Sequence, residues 1–212
     1  MERPDGGTPA LTPEEGWSTI HRTLDRTRSS MYVAGTSTIL LIWGAIVAIG
    51  FGSQYAVQTL AADFAADRPW YPGPLWGVLV VAGMVGSAAV GRQASRKIAV
   101  GMGMRSVGIR VFLFWLAILV ATFLIPAAAG LWTGGEAATR IPYVAIGIVT
   151  LGYVLFGIMV RPILAVVGLG VAMAFYIPAY LVEYPSSAAV SAAAILAVCA
   201  ISWAWIRRTG VL

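Results

Sequence analysis

Residues able to do chemistry are few in this chain, and its Asp, Glu, Lys, Arg and His residues all lie outside the apolar parts. The sequence has one histidine, His21, and one cysteine, Cys199. Hydrolysis inside a membrane needs a nucleophile beside a base, paired carboxylates, or a metal held by His, Asp or Glu. Ser87 lies in an apolar stretch, but no ionisable residue shares that stretch to activate it. We therefore expect no catalytic residue, no metal site and no cofactor.

Two carboxylates have a spacing that would suit a cation. Asp63 and Asp67 lie four residues apart in a polar segment, on one face of a predicted short amphipathic helix that carries Val57, Leu60 and Phe64 on another face. Such a pair can bind a divalent cation weakly. The alternative is a solvated acidic face with mild mutual repulsion.

Six long stretches of the chain contain no Asp, Glu, Lys, Arg or His. A helix needs about 20 apolar residues to cross a bilayer. With 59% hydrophobic residues, 11% charged residues and a mean hydropathy of +0.83, the chain falls outside the composition of soluble domains. The stretches are Val33–Gly52, Pro74–Val90, Val111–Leu131, Ile141–Val160, Pro162–Val182 and Ser186–Ile206. We predict an all-α polytopic membrane protein whose six transmembrane helices form three consecutive helical hairpins.

The basic residues fix the expected orientation. All but Arg68 and Arg140 of the 14 Lys and Arg residues fall in alternate segments between the stretches, which is the positive-inside pattern. The sequence thus predicts a multi-pass protein of the bacterial cytoplasmic (inner) membrane, with both termini cytoplasmic. The same distribution accounts for the net charge of +5, so we expect no nucleic acid partner.

The inner loop between the second and third stretches concentrates positive charge. Each basic residue near an anionic leaflet contributes about 1 kcal/mol of binding energy. The segment is a candidate docking site for lipid of the inner leaflet or for a cytoplasmic partner. Its five basic residues are Arg92, Arg96, Lys97, Arg105 and Arg110.

Small residues recur every four positions on the second stretch, at Gly83, Ser87 and Gly91. This spacing lets another helix approach closely. The neighbour is either a helix of the same bundle or the same helix of a second copy in a homo-oligomer.

The first 32 residues are predicted to form a disordered start followed by an amphipathic helix, ahead of a transmembrane domain over residues 33–212. Thr12 and Pro13 suit a helix start. An apolar stripe that includes Trp17, Ile20 and Leu24 suits a helix lying on the membrane surface. Alternatively, this helix continues directly into the first span. Residues 1–30 lack the apolar core of a cleavable signal peptide.

Ion-coupled transporters keep an ionisable residue in a span, and none is present here. A transport mechanism would have to use hydroxyls and backbone carbonyls instead. The hydroxyls available to it are those of Thr36, Ser37, Thr38, Thr122 and Thr150.

The run Leu11-Thr12-Pro13-Glu14-Glu15, the basic helix after it, and Leu41-Ile42-Trp43-Gly44 in the first span resemble a family of uncharacterised small bacterial membrane proteins. Its members have a short acidic-then-basic amphipathic N-terminus before several spans. Their genes often neighbour winged-helix regulators, so the resemblance implies a regulated or sensory role. It transfers no site residue.

These observations predict a non-enzymatic membrane component, acting as an accessory, sensory or assembly partner. Its expected partners are anionic lipids, a second copy or another membrane protein. The alternative is a small permease or channel subunit, acting either alone or as an oligomer.

Overall fold

The computed structural model describes residues 13–97 and 102–209, and it is helical almost throughout. Six helices are long and apolar enough to cross a membrane, and the described residues contain no strand. The predicted all-α polytopic fold is therefore confirmed. The helices are α1 (Pro13–Leu60), α2 (Ala62–Asp67), α3 (Pro72–Lys97), α4 (Met102–Ala128), a 3₁₀ turn (Leu131–Thr133), α5 (Gly135–Ala138), α6 (Ile141–Met159), α7 (Pro162–Leu181) and α8 (Ser186–Thr209).

Helices are the expected form of these segments, because a helix satisfies its own backbone hydrogen bonds where no water is available. Proline marks several of the helix starts. Pro142 and Pro162 stand in the first turns of α6 and α7, where a missing backbone N–H has no cost. Pro126 and Pro178 lie inside α4 and α7 and are both buried.

The first helix is longer than the sequence predicts at its C-terminal end. The end of the first apolar stretch at Gly52 predicts that the polar segment after it is an outer loop, but α1 continues without a break to Leu60. Gln54, in this continuation, is only 8% exposed. The predicted amphipathic helix of that loop is also divided, because Ala61 separates α1 from the short helix α2. The continuation is buried at Gln54, whereas Thr59 and Leu60 at its end are exposed.

At its other end, α1 is continuous through the segment predicted to lie on the membrane surface. Its 48 residues correspond to a length of about 72 Å, and they include the first candidate span. The amphipathic segment and the first span are therefore one helix. Whether the part before Gly35 rests on lipid stays a prediction, and residues 1–12 lie outside the described part of the chain.

The spans pack in one linear order, with α3 and α4 at its two ends. That order is α3, α1, α8, α7, α6, α4, and the most extensive packing is between α1 and α8. Each of the three sequential hairpins is a packed pair, namely α1 with α3, α4 with α6, and α7 with α8. By contrast, α3 and α4 do not pack along one another although they are consecutive.

One apolar core joins the helices of this packing order, and its most buried residues lie on α7 and α8. Leu164, Ile195 and Ile206 are each 1% exposed, and Leu40 of α1 joins the same cluster at 2%. The α1–α8 contact depends on close approach. A Cβ atom added at Gly44 would lie 2.5 Å from the Cβ atom of Cys199.

We expect Gly44→Val to destabilise the bundle, because the new side chain would force α1 away from α8. Overpacking of this kind costs about 1–3 kcal/mol. The measurement is the thermal unfolding midpoint in detergent, which should fall by several degrees. Gly52→Val is the matched control on the same helix, since a Cβ atom there meets nothing within 4 Å. Equal effects of the two substitutions would contradict this account.

Candidate functional surfaces

The small-residue face of α3 lies against α1 of the same chain. The indole Nε1 of Trp43 donates a hydrogen bond to Ser87 Oγ at 3.1 Å. One turn away, a Cβ atom added at Gly83 would lie 2.6 Å from Ile46 Cδ1. Gly91, the third residue of the pattern, is exposed, and a Cβ atom there would meet nothing within 4 Å. Gly83 and Ser87 are thus covered by α1, whereas Gly91 lies beyond that contact.

The predicted docking residues are only partly described. Arg92 near the end of α3 and Arg110 near the start of α4 are both exposed. Arg96 and Lys97 are on α3 and Arg105 is on α4, but their side chains are outside the described part of the structure. The structure therefore places Arg92 and Arg110 on the two end helices of the packing order.

Two further arginines, Arg207 and Arg208, end α8 and are exposed. The Arg207 guanidinium stacks over the ring of Trp203, with its carbon 5.2 Å from the ring centroid. This arrangement holds one charge close to an aromatic face, as at a membrane boundary.

Hydroxyls within the spans mostly bond to helix carbonyls. Thr122 Oγ1 donates to the Leu119 carbonyl at 2.6 Å, and Ser191 Oγ donates to the Phe175 carbonyl at 3.4 Å. Ser37 is fully buried, and Thr36 and Thr38 are half-buried. Thr150 is the exception, because its buried hydroxyl has no hydrogen-bond partner in the described residues.

The acidic pair on α2 is solvated. Asp63 and Asp67 are both exposed, and the guanidinium of Arg68 stacks on the neighbouring Phe64 ring, 4.7 Å from its centroid. Over residues 13–97 and 102–209, no group of three or more His, Cys, Asp or Glu side chains could hold a metal ion. Cys199 is a buried free thiol in the α1–α8 contact, where it acts as a packing residue.

A polar cluster that the sequence does not reveal joins three segments at the end of the bundle opposite Arg92 and Arg110. It consists of Gln58 on α1, Tyr71 before α3 and Tyr184 between α7 and α8. Burial raises the pKa of both tyrosines above the usual value of 10, and the nearby Gln58 amide offsets part of the rise. The Tyr71 hydroxyl is enclosed yet forms no hydrogen bond within 3.5 Å in the described residues.

The start of α6 and the end of α7 border an open depression of about 670 Å³. Tyr176 donates a hydrogen bond to the Tyr143 carbonyl at 2.6 Å, which fixes the ring on one side. Tyr180, also on its rim, is 89% exposed. The sequence predicts aromatic side chains at this depth as a membrane-interface belt. Their convergence around one depression depends on how α6 and α7 pack.

The least buried surfaces belong to the two end helices. Only 6% of the α3 span and 11% of the α4 span are buried, against 33% for α1 and α7. Large apolar side chains of α4 are consequently exposed, among them Phe112, Leu113, Phe123 and Leu124.

Helix length, composition and packing together define the class of this molecule as a multi-pass membrane protein, with six candidate spans over residues 13–97 and 102–209. Comparison with protein-family models, with curated proteins and with solved structures finds no match to this chain. Its surfaces are therefore the basis for inferring a role.

The contribution of the Trp43–Ser87 hydrogen bond can be measured by a double-mutant cycle. We expect Trp43→Phe and Ser87→Ala to show a coupling of about 0.6 kcal/mol, and at most about 1.7, as for other hydrogen bonds between membrane helices. The readout is the unfolding free energy in mixed micelles. Strict additivity of the two single substitutions would show that the bond does not stabilise the α1–α3 pair.

Proposed function

We propose that this protein is a non-catalytic component of the bacterial cytoplasmic membrane that acts as an accessory, sensory or assembly partner of another membrane protein. The exposed face of α4 is the observation that carries the proposal. The α4 span has the highest mean hydropathy of the six, 2.5, yet it is among the least buried. An apolar surface that the chain leaves uncovered is available to lipid or to a partner.

The residues on this face favour a protein partner. Phe112 and Leu113 precede Phe123 and Leu124 by 11 residues, which is three helical turns, so the two pairs lie on the same face. Trp132, which follows α4, packs against Phe123 with ring centroids 6.3 Å apart and extends the surface. Aromatic side chains carry much of the binding energy in protein interfaces.

Other observations support the sensory or assembly part of the proposal. The small residues Gly83 and Ser87 are used inside the bundle, so a partner would meet the large side chains of α4 instead. The resemblance of residues 11–15 and 41–44 to small bacterial membrane proteins points to a regulated role.

Photocrosslinking tests the α4 surface. A photoreactive amino acid at Phe112 or Phe123 should give the same discrete protein adduct in intact cells, because both positions lie on one face. Leu169 and Met173 are matched controls, since they are exposed on α7, one of the two most buried spans. They should give only lipid adducts. Lipid adducts at all four positions, or the same protein adducts from both helices, would contradict a specific partner surface.

Cysteine accessibility tests the proposed orientation. Replacing Cys199 with Ala removes the only cysteine. In that background, a cysteine at Asp67 should react with a membrane-impermeant thiol reagent added to intact cells, and one at Arg96 should react only after the cells are opened. The reverse result would place both termini outside.

The second candidate function is a small permease or channel subunit, and the unpartnered hydroxyl of Thr150 is the observation that favours it. A polar group without a partner at this depth suits a path that carries water or a polar solute. In the same labelling experiment, a cysteine at Thr150 separates the two functions. We expect full protection, as for a packed helix contact, whereas rapid labelling would favour the permease.

A further inference from the structure

We propose that the depression at the start of α6 and the end of α7 binds one phospholipid whose headgroup carries an ammonium group. The ammonium group lies against the tyrosine rings of the depression, and an acyl chain follows α7 away from it. This site lies on other helices than the partner surface of α4, so it does not depend on the function proposed above.

The depression has the size and position of a headgroup site. Its volume of about 670 Å³ lies within the range of about 300–1,000 Å³ that is usual for small-ligand sites. Ile141 begins α6 and Leu181 ends α7, so the depression lies where the hydrocarbon of a bilayer gives way to headgroups. Because it is open on one side, a lipid can place its headgroup there and keep its acyl chains in the bilayer.

Two tyrosine rings of the depression are held in place before a ligand arrives. The Tyr176 hydroxyl donates a hydrogen bond to the Tyr143 carbonyl at 2.6 Å. Gly147 makes this approach possible, because a Cβ atom there would lie 2.9 Å from the Tyr176 hydroxyl oxygen. Phe175, only 4% exposed, makes edge contacts with the rings of Tyr143 and Tyr176, at centroid distances of 5.4 and 5.2 Å. A ligand that uses these rings therefore pays little for ordering them.

The faces of the rings favour a cation. An aromatic face attracts an ammonium group that lies within about 6 Å of the ring centroid. The centroids of Tyr143 and Tyr176 are 6.3 Å apart, so one ammonium group can be within this range of both rings. Tyr180, one helical turn after Tyr176 and 89% exposed, supplies a third ring on the rim.

The charges near the depression match a headgroup that carries both signs. None of the lining residues is charged, and they are Tyr143, Tyr176, Ile177, Ala179, Tyr180 and Leu181. Arg140 precedes the first of these by three residues, and Glu183 follows Tyr180 by three; both are exposed. One basic and one acidic side chain thus flank the lining segments in the sequence. A zwitterionic phospholipid has a phosphate for the first and an ammonium group for the second and for the rings.

An apolar ridge continues from the depression along α7. Leu169, Met173, Ile177 and Leu181 recur every four residues and are all exposed to a third or more. The rise from the first to the last is about 18 Å. This is close to the thickness of one leaflet of hydrocarbon, about 15 Å. A single acyl chain can therefore lie along the ridge while the headgroup occupies the depression.

Native mass spectrometry of the full chain in mild detergent tests the site. The probes are phosphatidylethanolamine and phosphatidylglycerol with the same acyl chains, because only the first has an ammonium group. The protein should bind phosphatidylethanolamine about fivefold more tightly. Tyr143→Leu/Tyr180→Leu should abolish this preference, since it removes two rings and keeps an apolar surface. Tyr143→Phe/Tyr180→Phe should retain it, since the rings remain.

Trp70→Leu is the matched control, because Trp70 is an exposed aromatic residue outside the depression. It should change the preference by less than about twofold. Circular dichroism verifies that each variant is folded. Free tetramethylammonium should compete poorly with the lipid, because it lacks acyl chains.

Several results would overturn the proposal. One is equal binding of the two lipids by the unchanged protein. Others are a preference that survives in the Leu double variant, one that is lost in the Phe double variant, or one that Trp70→Leu lowers as much as the Leu double variant does. Full competition by tetramethylammonium at the concentration of the lipid would assign the depression to a free ammonium solute instead.

Discussion

The close approach of α1 to α8 is the contact on which the rest of the bundle depends. It joins the first and last spans of the chain, and it is possible because Gly44 leaves room for the Cβ atom of Cys199. With those two spans joined, α3 attaches through α1, and α4 is reached through α7 and α6. The result is a linear series of six helices, with α3 at one end and α4 at the other. Exposed surfaces follow from that arrangement, because an end helix has a neighbour on one side only.

Much of the fold follows from the sequence, because each membrane-spanning helix is determined by the residues of its own apolar stretch. An apolar stretch of about 20 residues without charge has to be a helix in lipid, and the prolines at the helix starts are equally local signals. The continuation of α1 to Leu60 could not be predicted in this way. Ser53 and Gln54 suggest a polar boundary, whereas in the structure the helix continues through them and Gln54 is buried.

The candidate surfaces likewise combine features that the sequence predicts with features that only the structure shows. The spacing of Gly83 and Ser87 indicates a close helix contact, but only the structure identifies α1 as the neighbour and Trp43 as the hydrogen-bond donor. Gly91 has the same spacing and lies beyond that contact. Gln58, Tyr71 and Tyr184 come from three separate segments, so no local pattern predicts that they meet. The positions of α3 and α4 at the two ends of the bundle are likewise a property of the packing order, which the hydropathy of a single stretch does not predict.

The unbroken length of α1 has a mechanical consequence. A continuous helix without an internal proline after Pro13 has no evident hinge. A helix of this kind moves as one body over short distances, so a tilt of its first turns is shared by the part that packs against α8. The close contact at Gly44 couples the two helices, because α1 has little room to shift there without moving Cys199. A displacement at the N-terminal end of α1 would thereby reach the centre of the bundle.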